Sequence, residues 1–296
     1  MDAFVNPIIL TSETPQGEKL QATFLPDKGM NLVSYKKGDL EIIDQTTMPL
    51  FEERFAGLGA LIGPHFYRRR AETLPKITDE SLFPHIARVK AKGTADPFSH
   101  GIGRYAPWQA VSTPNSVKAS LSGKDLWNGI PISSLEGQNF KMNFQADLTP
   151  QGLILNLDVV SDTDSVVGIH YYYHLPKNTG RVVTGVQPIY IDKGEKKPLP
   201  DNWKIDSQRV LTFDLEDEAD FTFFPYPNPR EGRITLDAES YQIVTTYSCQ
   251  SQENCWQLYH PKGASFVCIE PLSSQDPKHP NLSVSAIRIA LEIITP

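Results

Sequence analysis

A chain of 296 residues is long enough to bury most of its apolar surface; it has room for two domains, but all-β chains of this size often form one. Hydrophobic residues make up 40% and charged residues 21%, the balance of an ordinary globular protein. The net charge of −7 comes without any long basic run, which argues against a nucleic-acid or anionic-membrane partner.

Met1 is followed at once by a polar residue, and no apolar stretch approaches 18 residues, so neither a signal peptide nor a membrane span is expected. Three cysteines, Cys249, Cys255 and Cys268, are an odd number without metal-ligand spacing and fit a reducing, cytoplasmic setting.

In chain order, short alternating or apolar runs at 8–11, 20–25 and 32–36 predict strands. They are separated by Thr14-Pro15-Gln16-Gly17 and Pro26-Asp27-Lys28-Gly29, both turn sequences. Residues 40–43, after Lys37-Gly38-Asp39, read as the second arm of a hairpin. Further strands are predicted at 117–121, 140–148, 153–160, 165–169, 181–186, 221–224, 233–236, 243–247, 255–259, 265–269 and 286–294. Helical periods are few and short, and the 24 prolines and 19 glycines are scattered as turn punctuation. With no repeat, linker or composition shift, the pattern predicts one all-β domain over 1–296, a large antiparallel β-sandwich with few short helices.

The segment 168–176, Gly-Ile-His-Tyr-Tyr-Tyr-His-Leu-Pro, is the one around which the rest is organised. On a strand, alternate side chains share a face, so His170, Tyr172 and His174 point one way and Tyr171 and Tyr173 the other. Two imidazoles and a phenol on one face are costly as plain core, since each polar tip needs a partner, but they suit the floor of a polar cleft.

Three other stretches break the alternation. Residues 57–70 run from an apolar Gly-rich segment into Pro64, His65 and three arginines, Arg68, Arg69 and Arg70. A guanidinium at the end of such a run has the fork of donors that suits a polyol. In 96–108, His100 stands beside Gly101 and Gly103, where backbone can approach a ligand, and Trp108 has a flat face of the kind that stacks on a sugar ring. In Val267-Cys268-Ile269-Glu270-Pro271 a carboxylate ends an apolar strand, a setting that can raise its pKa into the range of a general base. His65, His85, His260 and His279 read as satisfied polar or surface groups, and Cys268 as a small core residue.

The order Pro64-x-x-x-Arg68, His100-Gly101 with Trp108, Gly168-x-His170-x-Tyr172 and Glu270-Pro271 resembles the aldose 1-epimerase (galactose mutarotase) family, from about Pro26 to the C-terminus. The resemblance implies a cofactor-free, metal-free reaction on a free hexose. Glu270 would take the proton of the C1 hydroxyl and His170 would protonate the ring oxygen. His100, Arg68, Tyr172, Trp108 and Asp220 would hold the sugar. Asp220 falls in the acidic run 214–220, which by itself reads as a solvated turn, and Arg69 stands as an alternative to Arg68. The strand reads His-Tyr-Tyr-Tyr-His where the family has His-Pro-Tyr-Phe/Trp-Asn, and Tyr67 stands before the arginine in place of Asn or Gly.

The residues themselves fit such chemistry, because mutarotation needs one group to remove a proton and another to supply one at nearby oxygens. No phosphate-binding Gly-rich loop and no helical metal-ligand spacing is present. A hexose 6-phosphate would be an alternative substrate if Arg69, Arg70 and Arg104 formed a phosphate clamp. A non-catalytic sugar binder on the same sandwich is the second reading. A glycoside-processing enzyme ranks last, because it normally needs two carboxylates and only one stands out. The expected partner is a small sugar, with the protein a monomer or weak homodimer.

Overall fold

The alternation of apolar and polar residues along the chain resolves into antiparallel strands, each with one face on a shared core. In Phe140–Thr149 and Val284–Ile294 nearly every second side chain is buried, the signature of a sheet packed on one side only. The structure, a computed structural model, describes residues 6–295; the expectation about the Met1 end concerns residues outside that range.

Apart from a small hairpin of Leu126–Trp127 and Ile130–Pro131, the strands form two antiparallel sheets. One runs in the order Ile8–Glu13, Lys19–Leu25, Asn31–Lys37, Gly59–Ile62, Gly168–His174, Phe266–Leu272, Cys255–His260 and Ala219–Pro225, then the second half of Arg181–Asp192, and ends on Glu195–Pro198. The other runs Gln109–Ser112, Ser116–Ser122, Phe140–Thr149, Gly152–Ser161, Val284–Ile294, Gln242–Cys249 and Glu231–Asp237, then the first half of Arg181–Asp192, Val210–Asp214 and Lys204–Ile205. Arg181–Asp192 therefore passes from one sheet to the other, with a register shift between Val186 and Tyr190. The core between the sheets is continuous and includes Phe24, Tyr35, Phe144, Leu155 and Ile289.

The helices are short: Met48–Arg54, Pro84–Ala91 and Ile132–Glu136. Among the described residues no helix is long and apolar enough to cross a membrane. This is the all-β sandwich with few short helices that the patterning predicts. Local differences lie at strand ends and in strands the patterning did not predict, Gln109–Ser112, Glu195–Pro198, Lys204–Ile205 and Val210–Asp214. The strand expected at 165–169 begins at Gly168, and the hairpin arm expected at 40–43 is only Leu40–Glu41. The Gly-rich run near 60 contains the central strand Gly59–Ile62, because its glycine accommodates close neighbours: a Cβ on Gly59 would sit 2.6 Å from the Leu32 carbonyl oxygen.

Candidate active site

Gly168–His174 lies in the middle of the first sheet, between Gly59–Ile62 and Phe266–Leu272. Ile169, Tyr171 and Tyr173 face the core and are at most 1% exposed, while His170 and Tyr172 line a cleft of about 640 Å³ on the other face. A volume of this size is typical of a small-ligand site.

Cross-strand register builds the floor in rows. Gly168 pairs with Leu272 and Tyr171 with Ile269, which brings His170 abreast of Glu270. Glu270 is paired with Gln257, Gln257 with Thr222, and Thr222 with Ile191. One row of side chains therefore crosses the floor as His170, Glu270, Gln257, Thr222 and Ile191, all of them lining the cleft. Two residues along, the next row is Tyr172, Cys268, Tyr259 and Asp220. Gln257, Thr222 and Tyr259 are floor residues that the sequence did not single out. Their signal was an x-polar-x-polar pattern on two strands, visible only once the pairing partners are known. Thr222 Oγ1 donates to Gln257 Oε1 at 2.8 Å.

Loops form the wall. His100 and Tyr67 both hold left-handed backbone, at φ 68° and 62°, which for such residues costs roughly 1–2 kcal/mol each. They hold each other there. The His100 N–H donates to the Tyr67 carbonyl at 2.7 Å, and the Tyr67 N–H donates to His100 Nδ1 at 3.4 Å. With Nδ1 accepting, Nε2 carries the ring proton and is a donor. The His100 ring stands edge-on to His170 with centroids 5.1 Å apart, and His170 stacks on Tyr172 at 5.0 Å.

His170 Nε2 lies 3.3 Å from Glu270 Oε1, and both residues are more than nine-tenths buried. Their other polar atoms, His170 Nδ1 and Glu270 Oε2, are buried with no protein partner. Burial pushes the Glu270 carboxyl well above its ordinary range, with Arg104 opposing and Asp220 adding to the shift. Burial and the Arg104 charge push His170 well below the usual imidazole value, and burial and His170 do the same to His100. Burial thus disfavours charge on each group, so that His170 and Glu270 together hold one proton, which either can carry.

The arginines sort themselves by partner. Arg68 is exposed and lines the cleft, its guanidinium 5.3 Å from the Tyr67 ring centre. Arg69 turns away: its Nε and Nη2 grip Asp96 at 3.0 and 2.8 Å. Arg70 is exposed and does not line the cleft. The clamp expected from Arg69, Arg70 and Arg104 is therefore not formed, because Asp96 and Glu136 hold Arg69 and Arg70 does not line the cleft. Arg104 does enter the site. It is 3% exposed, donates from Nε to the Phe55 carbonyl at 2.6 Å, and keeps Nη2 unpartnered.

Trp108 is not in the cleft. It is buried in the core, with its indole N–H donating to the Gly103 carbonyl at 2.9 Å and its ring against Phe144. Asp220 does line the cleft, on the strand Ala219–Pro225 and not in the acidic turn before it, and burial raises its carboxyl pKa. His174 shares the face of His170 but lies beyond the cleft, with Nδ1 3.2 Å from Asp44 Oδ2. His279, read as a surface group, sits exposed on the cleft rim beside Asp276.

His170, Cys268 and Glu270 bring potential metal-ligand atoms within 4.8 Å of one another. The Arg104 charge acts on all three, which opposes a dication at that point.

No protein-family model and no curated protein sequence matches the chain. Solved structures do. The Slr1438 protein of Synechocystis sp. PCC 6803 superposes with a TM-score of 0.66 at 16% identity, over 100% of this chain and 99% of its own. A GalM/aldose epimerase homologue from C. elegans gives 0.66 at 16% identity, over 98% and 99%. A galactose mutarotase related enzyme from Lactobacillus acidophilus gives 0.64 at 14% identity, over 98% of each chain. The chain has the galactose mutarotase-like fold, a large antiparallel β-sandwich as its patterning predicts.

Proposed function

We propose that the cleft is the active site of an aldose 1-epimerase, which interconverts the α and β anomers of a hexose by opening and closing its ring. The observation that carries this reading is the buried pair His170–Glu270, 3.3 Å apart on the cleft floor, each with an unpartnered polar atom. Glu270 takes the proton of the C1 hydroxyl while His170 gives one to the ring oxygen. The C1–O5 bond breaks, C1 becomes the aldehyde, and rotation about C1–C2 precedes closure from the other face. In closure the two groups exchange roles. The Arg104 charge favours the carboxylate form of Glu270 that the first step needs. His100 supports the ring oxygen, and Asp220, Gln257, Thr222 and Tyr259 offer donors and acceptors to the hydroxyls. These groups account for catalysis by this chain's own side chains.

A sugar bearing an anionic group is the second reading. Arg68, Lys193 and Lys278 line the cleft and form no salt bridge among the described residues, in a chain of net charge −7. These cations take the place of the clamp first expected.

The test is the rate at which fresh α-D-galactose, α-D-glucose and α-D-glucose 6-phosphate lose their excess optical rotation, with wild type and with Glu270→Gln. The expected result is acceleration by wild type that falls about 10²–10⁴-fold in the variant. Acceleration that survives Glu270→Gln would remove Glu270 as the base. Sugar binding by calorimetry without acceleration would make the protein a binder.

A further inference from the structure

Behind the cleft wall lies a second cluster of ionisable groups, none of which lines the cleft: His65, Arg69, Asp96 and Glu136. Asp96 is 1% and Glu136 4% exposed. Asp96 Oδ2 accepts from the backbone N–H of Arg69 at 2.8 Å and from its Nε at 3.0 Å, while Oδ1 accepts from Nη2 and from the Phe98 N–H. Arg69 Nη1 donates to the Glu136 carbonyl. His65 Nδ1 is 2.5 Å from Glu136 Oε1, and its Nε2 is 3.4 Å from Asp96 Oδ2. Glu136 Oε2 accepts from the Ile102 N–H at 3.0 Å.

A guanidinium, an imidazole and two carboxyl groups thus join three segments that no sheet ladder holds: 64–70, 96–104 and the helix Ile132–Glu136. Buried ion clusters of this kind contribute little net stability compared with apolar side chains of the same volume; what they can fix is one arrangement. The arrangement here is that of His100. Arg69 lies two residues from Tyr67, whose N–H and carbonyl both bond His100, and Glu136 pins Ile102, two residues beyond His100 on the other side.

We propose that Arg69 is a positioning residue: through Asp96, Glu136 and His65 it holds Tyr67 and His100 in their left-handed backbone, and so fixes the tautomer and aim of the His100 ring. Arg69 acts from behind the wall and touches no substrate, unlike Arg68. The proposal rests on the reading of the cleft as a mutarotase site, and its test separates the two.

Arg69→Lys keeps the cation and loses the fork. In the wild-type background it is expected to lower kcat about 10–100-fold with KM unchanged, as a small misplacement of a catalytic group does. In a His100→Ala background the same substitution is expected to cause no further loss. Equal losses in the two backgrounds would show a general structural role and overturn the proposal, as would full activity of Arg69→Lys. If Arg69→Lys does not fold, Glu136→Gln serves in the same cycle, since its amide oxygen still accepts from Ile102. If the wild type turns over none of the aldoses, ¹⁵N NMR of the His100 ring gives the answer without turnover. A single Nε2–H tautomer in the wild type that becomes mixed in Glu136→Gln or Arg69→Lys supports the proposal, and an identical tautomer in all three overturns it.

Discussion

At the residue scale, burial shifts both members of the His170–Glu270 pair, and one buried guanidinium acts on both. Arg104 opposes the upward shift of Glu270 and adds to the downward shift of His170. In the proposed mechanism the pair is competent while it holds one proton. Activity is then expected to fall on the acid side when His170 gains a second proton, below its depressed pKa, and on the alkaline side when Glu270 gives up the last one, above its raised pKa. Removing the Arg104 charge raises both values, so in Arg104→Gln both limbs of the kcat/KM profile are expected to move to higher pH. A profile that keeps its wild-type midpoints would show that Arg104 does not act on the pair. His100, His170 and Glu270 were legible as candidates because each breaks an otherwise apolar or turn-like context. The choice among the arginines was not legible. Arg68, Arg69 and Arg70 are identical neighbours, and only the capture of Arg69 by Asp96 decides which reaches the cleft. Trp108 was misread for the same reason: its sequence context offers a flat ring, but the Gly103 carbonyl and Phe144 claim it for the core.

At the scale of elements, the cleft wall depends on how closely two loops approach. Gly101 has φ 91°, and a Cβ there would lie 2.1 Å from the Gly63 carbonyl oxygen. The loops are stitched at this point, with the Gly63 N–H donating to the His100 carbonyl and the Gly103 N–H to the Gly63 carbonyl, both at 2.9 Å. Gly101→Ala combines left-handed strain with a backbone clash, and is expected to destabilise by about 2–4 kcal/mol. Urea unfolding measures this, and a change below that range would mean the loops separate easily. His-Gly was readable as a place of close approach, but what it approaches was not. The neighbour is a glycine 38 positions earlier in the chain (101 − 63), brought there by the pairing of other strands. The cross-strand rows show the same limit. Alternation tells which residues of Cys255–His260 share a face, yet only register places Gln257 beside Glu270.

At the scale of the whole molecule, one phenol carries two hydrogen bonds from one sheet to the other. Tyr35, on a strand of the cleft sheet, donates to the Leu291 carbonyl at 3.0 Å and accepts from the Leu153 N–H at 3.1 Å, both on the opposite sheet. Tyr35→Phe keeps the ring and strands both backbone groups, and is expected to cost about 1–3 kcal/mol in chemical denaturation. A smaller cost would mean that water or a shifted strand satisfies them. The sequence by itself determined the class of fold and the face of most strands, because a period of two against a one-sided core is a local property that survives any arrangement of neighbours. It also determined that histidines and a carboxylate stand at strand positions where plain core would reject them. Only the tertiary structure decided which strands lie side by side, which arginine is left free, and that His170 meets Glu270 at 3.3 Å. Those are matters of register and of competition for partners between residues far apart in the chain, and neither is written in any one segment.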